Sequence, residues 1–497
     1  MPKTFAIIDL FAGPGGLGEG FSRAGRESDD RMKIHLSVEM DDQAVQTLRL
    51  RAFLRSFEEM PNEYYAALRS GLGLPDWRSL YPAQWQSAEE EVRQQVLGEE
   101  GVFDELATEL DNYRESYHGD TILIGGPPCQ AYSLAGRSRN MGKAGYILEN
   151  DTRHYLYREY VKILNRLRPA AFIMENVKGM LSSKVDGGGI FQRVLDDLES
   201  AADGYRLLPL GKPIPLDAKR ANAKDFLIRA EEHGIPQARH RVIILGVRSD
   251  LAGNLPTGLA PLGATQKMVS VDEAICGLWS LRSGLSRNDN NAVWKDTVRE
   301  QAARIAIAEE IPDELRAIAQ SIEMANDLPQ LRQSKWRGET IGMPDHLRVW
   351  FDDPRLTTTL HHETRGHIPG DLGRYMFSAA WTRVFGRAPK LEQFPAFLQP
   401  EHRNRSTGAF ADRFRTQASN RPSSTVTSHI SKDGHYFIHP DPKQCRSLTV
   451  REAARLQTFP DNYFFCGPRT KQYHQVGNAV PPYLAYQIGH ALLRLVG

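Results

Sequence analysis

The stretch FAIIDLFAGPGGLGEGF, residues 5–21, decides the expected fold of this chain. Residues 5–11 form a short apolar run, which is typical of a buried β-strand, and the glycine-rich turn that follows opens a helix. A second apolar run, residues 34–38, ends at Glu39. A strand, a glycine turn, a helix and a second strand ending in an acid form a nucleoside-binding unit of the Rossmann type. The sequence therefore predicts an α/β protein.

The glycine turn and Glu39 define a candidate nucleoside site. Glycines at positions 13, 15 and 16 allow a ligand to approach the backbone closely. Glu39 can accept hydrogen bonds from two ribose hydroxyls. The spacing Gly13-x-Gly15-Gly16 differs from GxGxxG, which disfavours a dinucleotide. These residues alone leave a nicotinamide cofactor, S-adenosylmethionine and a plain tight turn as alternatives.

Composition places the chain among ordinary globular proteins. It has 497 residues, enough for two or three domains, and a formal net charge of +1, so any nucleic-acid surface must be local. Four scattered cysteines without CxxC spacing argue against a disulfide framework and favour a reducing compartment. The start of the chain has no secretory leader pattern and no run reaches ~18 apolar residues, so we expect a cytoplasmic protein. No metal is expected, because His361, His362 and His367 lack nearby cysteines and helical H-x3-H spacing.

A cysteine follows another strand pattern directly. The apolar run of residues 121–124 leads into GGPPCQ, residues 125–130, where glycines and prolines end the strand in a stiff turn. Ligands collect at the carboxyl ends of strands in open α/β sheets, so Cys129 is a candidate nucleophile. Taken alone, a free cysteine is more often a small core residue. The cationic, glycine-containing residues 131–150 predict a loop that closes on a polyanion.

Charged side chains stand at two further strand patterns. The run of residues 171–174 ends at Glu175, whose carboxylate can perform acid–base work or hold an amine. Arg239 and Arg241 precede the run of residues 242–247 and, two positions apart, point to one face. The sequence therefore predicts charged groups at several strand ends of one α/β domain.

The α/β pattern is interrupted twice along the chain. Residues 43–119 are charged and helix-forming, which predicts a helical excursion. Residues 331–421 hold 15 Lys and Arg against 9 Asp and Glu, with interleaved aromatics, as in a nucleic-acid-reading domain. The sequence therefore predicts an α/β domain followed by a basic segment that suits a nucleic acid.

The ordered set of motifs resembles the DNA (cytosine-5) methyltransferase family. The matching residues are DLFAGxGG from Asp9, Glu39, PPCQ from Pro127, ENV from Glu175, QxRxR from Gln237, RExxR from Arg451 and QxGN from Gln475. They follow the family's order over roughly residues 5–250 and 424–497. The resemblance implies a Rossmann-like S-adenosylmethionine-dependent methyltransferase sheet with a separate, smaller target recognition domain. The implied division is a catalytic domain of residues 1–250, a target recognition, DNA-binding domain of residues 251–423, and residues 424–497 returning to the catalytic domain. It also implies sequence-specific DNA cytosine-5 methyltransferase activity on duplex DNA, as in restriction-modification.

The resemblance implies roles for individual residues as well. Cys129 would add to C6 of a flipped cytosine, Glu175 would bind its N3 and amino edge, Arg241 would contact O2, and Arg239 would orient the site. The residues implied to hold S-adenosylmethionine are Phe11, Gly13, Gly15, Gly16, Leu17, Glu39, Met40, Pro128, Leu156, Asn478 and Ala479. Those implied to contact DNA are Gln130, Ser133, Arg137, Arg139 and Thr425. The acid that usually reads the adenine amine has no evident counterpart, because residues 43–119 interrupt that region.

These residue types suit the implied chemistry. Cytosine C5 is a poor nucleophile, and addition of a thiolate to C6 makes the ring enamine-like. Protonation at N3 stabilises the charge that this addition creates. Such groups cannot reach a base inside a duplex, so the base must be flipped out.

Three alternatives remain for the function. A tRNA cytosine-5 methyltransferase shares the cysteine and glutamate motifs, but a long recognition segment favours DNA. A non-catalytic DNA-binding regulator has no need of Cys129, Glu175 and Arg241. A nicotinamide oxidoreductase leaves PPCQ and the basic segment unexplained. We expect duplex DNA as a partner, a separately acting restriction endonuclease as a further candidate partner, a monomer, and association with the nucleoid during action.

Overall fold

The protein is built around a central, mostly parallel β-sheet. The computed structural model describes residues 3–29, 31–128, 156–185, 188–214, 221–256, 258, 260–263, 266–400 and 412–497. The strands are β1 (Phe5–Leu10), β2 (Met32–Glu39), β3 (Val92–Gln94), β4 (Thr121–Gly125), β5 (Ala171–Val177), β6 (Lys184–Val185), β7 (Gly188–Gly189), β8 (Tyr205–Leu208), β9 (Leu227–Arg229), β10 (Gln237–Ala238), β11 (His240–Arg248), β12 (Gly284–Leu285), β13 (Gly366–His367) and β14 (Ser423–Ser424). The central sheet has the order β3-β2-β1-β4-β5-β11-β8, and β9 also pairs with β11.

Helices cover both faces of this sheet and build the rest of the molecule. They are α1 (Gly16–Arg26), α2 (Asp42–Arg55), α3 (Asn62–Ser70), α4 (Trp77–Leu80), α5 (Pro82–Glu91), α6 (Val102–Ser116), α7 (Leu156–Leu167), α8 (Ile190–Glu199), α9 (Val271–Ile275), α10 (Asn291–Ala306), α11 (Asp313–Glu323), α12 (Asp345–Phe351), α13 (Pro369–Phe385), α14 (Val450–Leu456), α15 (Arg469–Asn478) and α16 (Pro482–Val496). No described helix is long and apolar enough to cross a bilayer.

Strand direction decides which chain ends meet at the functional edge. Strands β1, β2, β4 and β5 run parallel, so their carboxyl ends share one edge of the sheet. Strand β11 runs antiparallel to β5 and places Arg241 opposite Val177. The beginning of β11 therefore lies at the edge where the parallel strands end.

The two faces of β1 bury side chains in different layers. Ile7 packs in a cluster with Phe21 of α1 and Ile488 of α16. Ile8, on the opposite face, packs in a cluster with Tyr160 of α7 and other residues of α7 and α8. Side chains of this size stabilise the fold by roughly 1.5–3 kcal/mol each when fully buried. The α/β prediction is confirmed as a sheet between two helical layers.

The predicted helical excursion needs one correction. Residues 88–96 are part of the expected helical excursion, but α5 ends at Glu91 and the next three residues form β3. Val92 is fully buried and pairs with Ser37 of β2. One buried side chain in a three-residue strand is too short a pattern to distinguish from a helix end. Residues 43–119 therefore contribute an edge strand to the sheet as well as helices.

A separate group of helices lies within the predicted recognition segment. Helices α10, α11 and α13 pack around Trp294, Leu315 and Tyr375, all of which are fully buried. The neighbouring α12 has a different partner: Trp350 contacts Tyr483 and Tyr486 of α16. The domain division at residues 250 and 423 stays a prediction.

Candidate active site at the carboxyl edge of the sheet

The glycine loop and Glu39 hold each other in place. The backbone N–H of Gly13 donates to one carboxylate oxygen of Glu39 at 2.8 Å, and that of Asp41 donates to the other at 2.8 Å. Gly13 and Gly15 adopt φ values of +56° and +89°, which glycine tolerates best. Burial raises the pKa of the Glu39 carboxyl, and the backbone donors oppose that rise. The acid is thus fixed beside the loop at the tip of β2.

The three glycines of the loop have different surroundings. A Cβ at Gly16 would lie 2.2 Å from the carbonyl oxygen of Val480, and one at Gly15 would lie 2.8 Å from Leu48. A Cβ at Gly13 would meet no described atom within 4 Å. Open space for a ligand therefore lies beside Gly13, whereas Gly15 and Gly16 have a packing reason to be glycine.

The other residues implied to hold the cofactor differ in exposure: Leu17 and Ala479 are buried, Phe11, Pro128 and Leu156 are half-buried, and Met40 and Asn478 are exposed. Met40 is 61% exposed directly after Glu39. The side-chain amide of Asn478 lies 3.2 Å from the ring of His474. Leu17 belongs to the core beneath the sheet, and Ala479 belongs to another buried cluster.

Gln95 is a candidate residue that the sequence analysis missed. It follows β3, and its backbone N–H donates to the carbonyl of Glu39 at 3.1 Å. Its side-chain Nε2 donates to Glu105 at 2.8 Å, which orients the amide, while the buried Oε1 has no partner among the described residues. The backbone of the residue that carries this acceptor therefore adjoins the acid that ends β2. Recognising β3 as the neighbour of β2 would have located it.

Glu175 and Arg241 form an ion pair at the next strand ends. Arg241 Nε lies 2.8 Å from Glu175 Oε1, and the side chains are only 15% and 13% exposed. A Cβ at Gly126 would lie 3.0 Å from Glu175 Oε2, so glycine allows the turn to approach the carboxylate. Burial lowers the pKa of the Arg241 guanidinium, and the charge of Glu175 opposes this.

The proline turn is joined to the strand that carries Glu175. Asn176 Nδ2 donates to the carbonyl of Pro127 at 3.2 Å in a buried hydrogen bond. Cys129 is two residues further along the chain, outside the described residues. The predicted DNA contacts Gln130, Ser133, Arg137 and Arg139 also lie outside the described residues.

Arg239 contacts the C-terminal segment rather than Glu175. Its Nη1 donates to the carbonyls of Val426 at 2.9 Å and Gly477 at 3.4 Å. Burial, followed by the charge of Arg241, lowers the pKa of Arg239. Nearby, the hydroxyl of Thr425 donates to the carbonyl of Ala238 at 2.7 Å. Arg239 thus fastens residues 426 and 477 to the base of β11.

The three histidines considered for a metal site bond to protein groups. His361 accepts from the backbone N–H of Phe465, His362 bonds to Thr449 and the carbonyl of Trp279, and His367 lies 3.3 Å from the hydroxyl of Tyr375. Burial lowers the pKa of these rings to about 3, 4 and 3 respectively. His362 and His367 are buried and His361 is half-buried, and all three are neutral groups that connect segments of the chain.

The sheet order, with the acid-bound glycine loop and the buried glutamate–arginine pair at one edge, defines a Rossmann-like fold with a candidate active site at that edge. The model of the C-5 cytosine-specific DNA methylase family matches residues 107–494. The chain belongs to this family, and its activity is the sequence-specific methylation of cytosine in DNA.

Similar proteins agree with this assignment. The chain is 32% identical to the Type II methyltransferase M.Bpa9945I of Bacillus paralicheniformis, over 98% of both chains. It is 29% identical to the Type II methyltransferase M.AgeI of Thalassovita gelatinovora, over 73% of this chain and 80% of that one. A crystal structure described as a prophage-encoded DNA modification methyltransferase of E. coli has a TM-score of 0.53 at 19% identity, covering 99% of both chains. That last likeness concerns the fold alone.

Proposed function

We propose that this chain methylates C5 of a cytosine flipped out of duplex DNA, through a covalent adduct between Cys129 and C6. S-adenosylmethionine would be the methyl donor. The observation that carries the proposal is the buried Glu175–Arg241 pair beside the turn that leads to Cys129. The three groups are the nucleophile, the base-binding acid and the cation that this reaction requires.

Cys129 would supply the covalent step. Its thiolate forms a bond to C6, and the electron pair of the C5–C6 double bond moves toward C5, which attacks an electrophilic methyl group. A water then removes the C5 proton, the double bond re-forms and the bond from sulfur to C6 breaks. The Pro127 carbonyl is anchored by Asn176, which would hold the turn before Cys129 still while the base reacts.

Glu175 and Arg241 would bind the Watson–Crick edge of the flipped base. Oε2 of Glu175 faces Gly126, where any side chain would crowd the carboxylate. That oxygen would meet N3 and the amino group of cytosine, and the Arg241 guanidinium would meet O2. A proton shared between Glu175 and N3 would stabilise the charge that thiolate addition places on the ring. Arg239 would hold the surrounding chain segments in place.

The first two strands would hold the cofactor. Glu39 would accept hydrogen bonds from the ribose hydroxyls, and Phe11 would stack on the adenine. The open space beside Gly13 would let the cofactor approach the protein backbone. The free Oε1 of Gln95 would accept from the adenine amine, taking the place of the acid that the sequence lacks. When bound, S-adenosylmethionine supplies a methyl group on a positively charged sulfur. The unpartnered acceptor of Gln95 is the feature that fits a nucleoside there.

Residues 251–423 would read the DNA sequence, and residues 424–497 would complete the catalytic domain. The similarity to Type II methyltransferases supports a role in restriction-modification, with a restriction endonuclease acting separately on the same site. Thr425, bonded to Ala238, would contact a phosphate near the target base. We expect the protein to act as a monomer in the cytoplasm.

The test of this mechanism is covalent capture on a modified substrate. A duplex with 5-fluorocytosine at the target site should trap wild-type protein in a complex that survives denaturing electrophoresis, because fluorine at C5 cannot leave as a proton does. Bisulfite sequencing of DNA from expressing cells first identifies that site. Cys129→Ser should form no complex and transfer no methyl group, whereas Cys466→Ser should behave as wild type. Methyl transfer at the wild-type rate by Cys129→Ser would exclude the proposed adduct.

A further inference from the structure

The side chain of Tyr463 reaches the glycine loop from the distant end of the sequence. Its hydroxyl donates to the carbonyl of Pro14, across a sequence separation of 449 residues. A Cβ at Gly15 would lie 3.1 Å from the same hydroxyl. The tyrosine is fully buried, so this hydroxyl has no access to water. The loop predicted to hold the cofactor therefore rests on a side chain outside the cofactor motif.

The peptide between Pro14 and Gly15 is held at both ends. Its carbonyl accepts from Tyr463, and its N–H donates to the carbonyl of Ala12 at 2.9 Å. A trans peptide is planar, with the two groups pointing in opposite directions, so two such bonds fix the orientation of the whole unit. Gly15 follows at a φ of +89° and opens α1. Among the described residues, the Tyr463 hydroxyl thus donates one of the two hydrogen bonds that orient this peptide.

Buried charges fix the ring of Tyr463. The guanidinium of Arg51 lies over the ring at 4.5 Å from its centre. Arg51 also binds the carboxylate of Glu19 in α1, at 2.5 Å and 3.2 Å, and both side chains are less than 10% exposed. The N–H of Glu19 donates to the carbonyl of Gly15 at 2.8 Å. The tyrosine is therefore tied to the helix that the loop opens as well as to the loop.

The backbone around Tyr463 is held equally firmly. Arg451 donates to the carbonyl of Tyr463 at 2.8 Å, and the hydroxyl of Tyr64 donates to that of Asn462 at 2.7 Å. Asp461, two residues earlier, forms a bidentate pair with Arg455 at 2.9 Å and 2.8 Å. The hydroxyl is therefore presented by a rigid segment.

We propose that Tyr463 is a positioning residue for cofactor binding, an inference that rests on the proposed function. Its hydroxyl holds the Pro14–Gly15 peptide in the orientation that keeps the N–H of Gly13 on Glu39 and leaves the space beside Gly13 open. Loss of the hydroxyl leaves a buried carbonyl unpaired, so the loop populates other orientations in the free protein. S-adenosylmethionine then binds only to the fraction of molecules with the correct turn, and its apparent affinity falls by that fraction.

The experiment compares Tyr463→Phe with Tyr205→Phe in the full chain. Tyr205 is a matched control, because its buried hydroxyl also donates to a prolyl carbonyl, that of Pro169 at 2.9 Å, away from the catalytic edge. Calorimetric titration gives the dissociation constant for S-adenosylmethionine, and thermal unfolding gives Tm. We expect Tyr463→Phe to raise the dissociation constant by about 5- to 150-fold, the range of one unpaired buried group. Tyr205→Phe should stay within twofold of wild type, with a similar drop in Tm.

Steady-state kinetics separate positioning from general damage. In Tyr463→Phe the KM for S-adenosylmethionine should rise by the same factor, while kcat at saturating cofactor and the KM for DNA stay near wild type. An unchanged dissociation constant with a lowered Tm would overturn the proposal and leave Tyr463 a purely structural residue. Absence of binding by the wild-type protein would instead overturn the proposed function.

A second variant keeps the test decisive if Tyr463→Phe does not fold. Arg51→Lys keeps a positive charge beside Glu19 and leaves Tyr463 with its hydroxyl. It removes the planar guanidinium group that lies over the ring of Tyr463. The dissociation constant for S-adenosylmethionine should rise at least threefold. A folded Arg51→Lys protein with wild-type affinity would contradict the proposal.

Discussion

The ion pair of Glu175 and Arg241 is the clearest feature of the candidate active site at the scale of single residues. Both charges have little solvent access, so removing one leaves the other poorly compensated. In the reaction, the same two groups would hold the base in the orientation that Cys129 attacks.

Arg241→Ala should lower the rate of methyl transfer by about 10²- to 10³-fold, because the base loses a contact and Glu175 loses its partner. Single-turnover assays with labelled S-adenosylmethionine measure this rate. Arg248→Ala is the control, since Arg248 stands at the other end of the same strand and pairs with Asp250. A near-wild-type rate in Arg241→Ala would remove Arg241 from the proposed site.

The sequence predicted those residues of the candidate site that stand next to a recognisable local pattern. Glu39, Glu175 and Arg241 each stand next to an apolar run, so their place at a strand end follows from local pattern. Gln95 and Tyr463 have no such pattern. Their relevance depends on partners at Glu39 and Pro14, which only the folded chain brings near.

At the scale of elements, α1 and α16 are packed so closely that Gly20 of α1 has no room for a side chain. A Cβ at Gly20 would lie 2.4 Å from the carbonyl oxygen of Pro482 and 2.4 Å from the N of Tyr486. Backbone atoms cannot move aside as a flexible side chain can. Gly20 therefore allows the close approach of α16 to α1.

Gly20→Ala should destabilise the protein by about 2–4 kcal/mol through this overpacking. Denaturant unfolding, monitored by circular dichroism, measures the change. Gly370→Ala is the matched helical control, because a Cβ there meets only the flexible end of Arg374 at 3.4 Å. That control should be neutral or slightly stabilising, since alanine is the better helix former. Equal stabilities for the two variants would refute the packing account of Gly20.

The strands and helices differ in how well the sequence predicts their positions and packing partners. Strands β1, β2, β4, β5 and β11 carry runs of buried apolar residues, and each was predicted within a few residues of its observed bounds. Strand β3 was missed, because its three residues are recognisable only by their pairing with β2. The packing of α16 on α1 was also invisible, since amphipathic character shows that a helix has a buried face without showing its partner.

At the scale of the whole molecule, buried neutral histidines link stability to pH. Burial lowers the pKa of His361 to about 3 and that of His362 to about 4. In the unfolded chain such groups titrate near ~6.5. Between these values the unfolded state binds more protons, so these histidines make stability fall as the pH is lowered. Asp9 acts in the opposite sense, because burial raises its pKa above the usual range.

His362→Gln isolates one of these contributions. Between pH 7 and pH 5 the free energy of unfolding of wild type should fall by about 2 kcal/mol more than that of His362→Gln. Urea unfolding at pH 7, 6 and 5 at constant ionic strength gives both curves. His118→Gln, at an exposed position, should follow the wild-type curve. Parallel curves for wild type and His362→Gln would show that this ring does not stay neutral in the folded protein.

The bond between Tyr463 and Pro14 also has a consequence for biosynthesis. The glycine loop leaves the ribosome early, whereas Tyr463 and α16 emerge more than 440 residues later. Contacts of such sequence separation form slowly and only after the intervening chain exists. Until then the apolar face of α1 lacks the helix that covers it, and exposed apolar surface of this kind favours aggregation. If Tyr463 has the proposed positioning role, the cofactor site reaches its full affinity only after the last part of the chain has been synthesised.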